Sequence, residues 1–122
     1  MKIIKKALII CSALLISNAI WAQDGKTERA DQFFDNLDFI RAIDAYQKIV
    51  KKDSSNSYAM HQVGEAYRLI GENQKANPWY GLVLKLKPES KQDLYYYART
   101  LLTVGEYGKA LETYRKYDNL YP

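Results

Sequence analysis

The chain has 122 residues and a formal charge of +4, from 18 basic and 14 acidic side chains. That length admits one compact domain at most. One histidine and one cysteine leave nothing from which to assemble a metal site of the usual His/Cys kind.

The first segment is a targeting signal by its pattern. Lys2, Lys5 and Lys6 form a basic start, and no charge follows from Ala7 to Ala22. The apolar part is shorter than the ~20 residues of a membrane-spanning helix. A cleavable signal peptide over 1–22 is therefore expected, with Gln23 as the new N-terminus, or a cut after Ala19 as the second choice. Cys11 lies inside the apolar run behind the bulky Ile10, which does not suit a lipid-attachment site, so the mature region is expected to hold no cysteine. Three lysines leave with the signal, and 15 basic residues then face 14 acidic ones, a net charge of +1. No clustered basic face remains for nucleic acid.

From Gln23 onward the chain is periodic. In rows of 34 that begin at Gln23, Ser57 and Lys91, Ala30, Gly64 and Ala98 share one column, and Phe33, Tyr67 and Leu101 another. Ala42, Ala76 and Ala110 share a third, and Tyr46, Tyr80 and Tyr114 follow four residues later, on the same helical face. Ser54, Pro88 and Pro122 close the rows. Small residues facing one another let two helices approach, and the aromatic fills the space between neighbouring pairs. Asn36-Leu37-Asp38, Gly71-Glu72-Asn73 and Gly105-Glu106-Tyr107 suit short turns between antiparallel helices. The pattern predicts helices over 24–36, 39–52, 57–70, 73–86, 91–104 and 107–120. Asn77-Pro78 sits early in the fourth, which is expected to start late or bend there.

Met60, Val63-Gly64, Tyr67, Ala76, Tyr80 and Pro88 resemble the tetratricopeptide repeat (TPR), and Leu94, Tyr97-Ala98, Leu101, Ala110, Tyr114 and Pro122 resemble it again. Lys26 and Arg29 weaken the first row, as suits an end repeat facing solvent. The resemblance implies an all-α fold: three helix-turn-helix hairpins, 23–56, 57–90 and 91–122, stacked as a short right-handed α-solenoid. A narrower resemblance rests on Ala30-Asp31-Gln32-Phe33-Phe34-Asp35, Ala42-Ile43-Asp44-Ala45-Tyr46-Gln47-Lys48-Ile49, Trp79-Tyr80 and Leu94-Tyr95-Tyr96-Tyr97-Ala98-Arg99-Thr100-Leu101. These look like the N-terminal TPR region of Bacteroidota OmpA-like outer-membrane proteins. Some of those proteins are associated with type IX secretion and carry propeller and peptidoglycan-binding domains, neither of which is present here. The resemblance implies a periplasmic location or the periplasmic face of the outer membrane. The third hairpin reaches Pro122 without a further capping helix, so Leu102, Leu111, Tyr114 and Tyr117 are expected to be partly uncovered, met by a partner or by further sequence, or left as a sticky end.

In such a fold the first helices of the hairpins line a concave groove. The residues expected there are Thr27, Asp31 and Phe34, then Tyr58, His61, Glu65 and Arg68, then Gln92, Tyr95, Arg99 and Leu102. Aromatic and arginine side chains are what binding hot spots use, so a protein or peptide partner is expected. The lysine and asparagine pattern of chaperone-tail-binding repeats is not matched. His61 and Glu65, four apart, are expected to form a solvated helical pair, and Asp31 with Asp35 a solvated acidic strip. Of Tyr95-Tyr96-Tyr97, Tyr97 falls on the core column and Tyr95 on the groove. No phosphate loop or nucleophile elbow is present. The expectation is a non-enzymatic module without cofactor, metal or small-molecule substrate.

Overall fold

The computed structural model describes residues 25–122; the expected signal peptide over 1–22 lies outside them. Six helices follow in order: α1 (Glu28–Asp35), α2 (Phe39–Lys52), α3 (Ser57–Leu69), α4 (Asn73–Leu86), α5 (Lys91–Thr103) and α6 (Tyr107–Leu120). Among the described residues there is no strand, and no helix is long and apolar enough to cross a membrane. Each helix packs chiefly on the next in the chain.

The columns explain the packing. Ala30, Ala42, Ala76, Ala98 and Ala110 are all buried, so backbones meet closely where the side chains are small. At Gly64 a Cβ would stand 3.2 Å from the Tyr80 ring, so glycine is what admits that ring. Tyr46 and Tyr80 are completely buried, which contributes roughly 2–3 kcal/mol each. Asp38 and Asn56 cap α2 and α3 by accepting the amides of Arg41 and Ala59, each cap being worth ~1 kcal/mol.

Two boundaries differ from the sequence expectation. Residues 25–27 form a turn, and α1 begins only at Glu28. α4 begins at Asn73 and runs through Pro78 without the late start. Pro78 is exposed, so the carbonyl one turn earlier that loses its amide partner belongs to an exposed residue, Gln74. Burial of Ala76 and Tyr80 on either side, and an Asn77 to Thr100 hydrogen bond of 2.9 Å into α5, hold the helix through the defect.

The turns after α1, α3 and α5 place Leu37, Gly71 and Gly105 in one column, all with positive φ, at 61°, 83° and 85°. Only glycine adopts this conformation without strain, and a leucine there costs roughly 1 kcal/mol. Leu37 is 73% exposed, so its side chain returns little. Leu37→Gly is expected to raise stability by about 0.5–1 kcal/mol in a denaturant titration, with an unchanged m-value.

Candidate partner-binding groove

α1, α3 and α5 are tied together by side chains on one face, and the expected groove residues sit on it. Asp31 of α1 is the first junction. It accepts from the Thr27 hydroxyl at 2.8 Å, from Tyr58 of α3 at 2.8 Å, and from the Tyr46 hydroxyl of α2. Tyr46 in turn accepts from Gln62 of α3 at 3.3 Å. Phe34 stands edge-on to Phe39 and Tyr46, with centroids 5.2 and 6.4 Å apart. The expected solvated strip with Asp35 is not what forms: Asp31 is half-buried and occupied by hydroxyls.

Glu65 is the same position one period on. It accepts from Tyr80 at 2.5 Å and from Arg68 Nη2 at 2.7 Å. Arg68 also donates to the Tyr80 oxygen at 3.2 Å and lies 4.0 Å from the Tyr96 ring centroid, so it bridges α3, α4 and α5. His61 does not pair with Glu65. Its Nδ1 lies 2.7 Å from Asp93 Oδ1 of α5, and Asp93 is buried. The sequence pattern gave no sign of Asp93, because its column holds alanine in the preceding row.

The electrostatics follow from burial. Burial first, and then the hydrogen bonds to carboxylates, push the Tyr46 and Tyr80 phenols well above the ordinary range. The same causes push Tyr58 up to about 12. All three hydroxyls stay protonated and act as fixed donors. Burial pulls His61 down, but the hydrogen bond and charge of Asp93, with the charge of Glu65, outweigh it, and its pKa is raised. These groups are scaffolding: they fix the spacing of α1, α3 and α5.

What faces solvent is a different subset. Tyr58, Gln92, Tyr95, Arg99 and Leu102 are exposed; Thr27 is buried. Tyr95 is edge-on to Tyr96 and Tyr114 and tilted against Tyr117, so the exposed ring is held by three others. Thr27, Asp31 and Tyr58 line a cleft of about 610 Å³ together with Lys26, Asp53, Lys87 and the turn before α3. Leu111 is exposed at the far end beside half-buried Tyr114 and Tyr117. Among the described residues no cluster of three or more His, Cys, Asp or Glu is placed to hold a metal ion.

Helix order and packing of this kind are those of tetratricopeptide solenoids. A crystal structure of MamA superposes with a TM-score of 0.75 at 23% identity, over 79% of this chain and 52% of that one. The second and first TPR units of Spaghetti (RPAP3), each bound to the HSP90 peptide SRMEEVD, superpose with a TM-score of 0.71 at 18% identity. They match over 79% and 80% of this chain and 89% and 77% of their own. The chain thus spans about half the length of the MamA structure it matches. No protein-family model and no curated protein matches it. The chain has the tetratricopeptide fold.

Proposed function

We propose that the chain is an exported, non-catalytic interaction module of three tetratricopeptide repeats, stacked with right-handed twist, that holds a protein or peptide partner in its concave groove. The observation that carries this reading is the division of labour on the α1, α3 and α5 face. One set of groove residues is spent on interhelix hydrogen bonds, which leaves Gln92, Tyr95 and Arg99, with the exposed ring of Tyr58, presented on a rigid frame. A pre-organised aromatic surface loses little entropy on binding. The peptide-bound TPR units among the structural neighbours support the same class of partner.

Peptide selection from a displayed library against the intact chain tests this. Selected peptides are expected to lose at least about tenfold in affinity on Tyr95→Ala or Gln92→Ala, which remove exposed side chains and no described hydrogen bond. Peptides indifferent to both changes, yet sensitive to Arg41→Glu on the other side of the first helix pair, would sink the groove.

The basic, then apolar segment before Gln23 supports export, and the OmpA-like resemblance supports the periplasm or the periplasmic face of the outer membrane. N-terminal sequencing of the protein from cell-envelope fractions should begin at Gln23. A mature chain that still carries Lys2 overturns the export reading. The second reading is the N-terminal TPR region of a longer OmpA-like, peptidoglycan-associated protein linked to type IX secretion. It is favoured by the exposed Leu111 beside Tyr114 and Tyr117, where a further segment would pack.

A further inference from the structure

The third helix pair breaks a rule that the first two obey. Asp31 and Glu65 occupy one column, and each accepts the hydroxyl of the tyrosine 15 residues on, Tyr46 and Tyr80. In the third row the column holds Arg99, and the tyrosine is Tyr114. A guanidinium has no lone pair to offer a phenol. Among the described residues Arg99 has no carboxylate partner, and neither Tyr95 nor Tyr114 has a hydrogen-bond acceptor. Yet the three are assembled: the Arg99 guanidinium lies 5.8 Å from the Tyr95 centroid, and the Tyr95 and Tyr114 rings are 6.3 Å apart.

The charges of this face are otherwise accounted for. Asp31 is held by three hydroxyls, Glu65 pairs with Arg68, and His61 pairs with Asp93. Among the expected groove residues of α1, α3 and α5, Arg99 is the cation that no described carboxylate pairs with, and it is exposed. The missing element is the carboxylate that the other two pairs supply from their own chain.

We propose that Arg99, Tyr114 and Tyr95 form a carboxylate-binding site at the third helix pair, filled by a carboxylate of the bound partner where Asp31 and Glu65 serve the first two. The site takes a side-chain carboxylate or a free chain terminus by the same chemistry, a planar guanidinium beside two tyrosines whose hydroxyls have no acceptor among the described residues. The assignment of a peptide as the natural occupant rests on the groove reading above; the site itself does not.

The test uses small probes on the intact chain, followed by the Arg Nε–Hε resonances and the tyrosine ring signals in NMR titrations. N-acetyl-glutamate carboxamide presents only a side-chain carboxylate, N-acetyl-alanine only a chain terminus, and N-acetyl-glutamine carboxamide neither. Saturable shifts of Arg99 and Tyr114 are expected with at least one charged probe, with about tenfold weaker binding of the neutral one. The tighter of the two charged probes identifies the source. Arg99 shifts no larger than those of exposed Arg115 overturn the site.

A second variant separates a binding role from a structural one. Arg99→Glu restores the carboxylate–tyrosine pair of the second helix pair, so it is expected to abolish probe binding while raising the thermal midpoint. A midpoint unchanged or lowered shows that the third pair does not share the register of the second, and removes the ground for the site. If Arg99 takes the probes while no displayed peptide binds the groove, the groove reading fails and the site stands. Peptides that bind the groove while Arg99 ignores both charged probes give the reverse.

Discussion

Tyr80→Ala is expected to destabilise the domain by about 4 kcal/mol, the cost of deleting a buried aromatic whose space does not collapse. Tyr80 is completely buried, its ring fills the notch at Gly64 and stacks on Tyr96 at 5.9 Å, and its hydroxyl donates to Glu65. A domain of this size holds only about 5–15 kcal/mol in total, so the variant should sit near its unfolding transition at 37 °C. The milder pair of changes isolates the hydroxyl. Tyr80→Phe leaves Glu65 with Arg68 alone and should cost about 1–2 kcal/mol. Tyr114→Phe, at the equivalent position, should cost almost nothing, because its hydroxyl has no partner among the described residues. Urea titrations of the three variants check this, and equal losses for the two phenylalanine variants would contradict the assigned network.

His61→Ala should cost about 3 kcal/mol, because it leaves the buried Asp93 carboxylate without its charged partner. This pair also makes stability depend on pH in a definite direction. The folded-state pKa of His61 lies above its ordinary value of 6.5. The folded protein therefore holds the proton more tightly than the unfolded chain. The stabilisation is fully present below about pH 6.5 and is lost as pH rises through the folded value. Thermal midpoints measured from pH 6 to pH 9 should fall more steeply for the wild type than for His61→Gln, which keeps a hydrogen-bond donor but cannot take a charge. Parallel profiles for the two proteins would refute the pairing. Since the bond joins α3 to α5, its loss should loosen the third helix pair first, with earlier amide exchange in α5 and α6 than in α2.

The structural and binding roles on the α1, α3 and α5 face were not separable from residue type. Asp31, His61, Glu65 and Arg68 have the polarity of groove residues, and their spacing puts them on the right face. The structure commits Asp31 to Tyr46 and Tyr58, His61 to Asp93, and Glu65 with Arg68 to Tyr80, and leaves Gln92, Tyr95 and Arg99 outward. The consequence for mutagenesis is direct: changing Arg68 disturbs three helices as well as any ligand, and changing Tyr95 also removes its packing on Tyr114 and Tyr117, whereas Gln92 reports on binding alone.

By itself the chain's order of residues determined the six helices of the described residues, their turns and which columns are buried. Those features depend on local rules: a small residue or an aromatic every 34 positions, a glycine at two of the three turns with positive φ, a proline where a helix stops. Tertiary structure alone decided who bonds to whom. Spacing along one helix favoured His61 with Glu65 and Asp31 with Asp35, four residues apart. The fold instead joined His61 to Asp93 across 32 residues and Asp31 to Tyr46 and Tyr58 across 15 and 27. A buried carboxylate takes the donor that reaches it in low dielectric over the neighbour that shares its solvated face, and only the stacking of helices sets which donor that is. The same stacking leaves the third helix pair, with arginine in the carboxylate column, without the carboxylate–tyrosine bond of the other two.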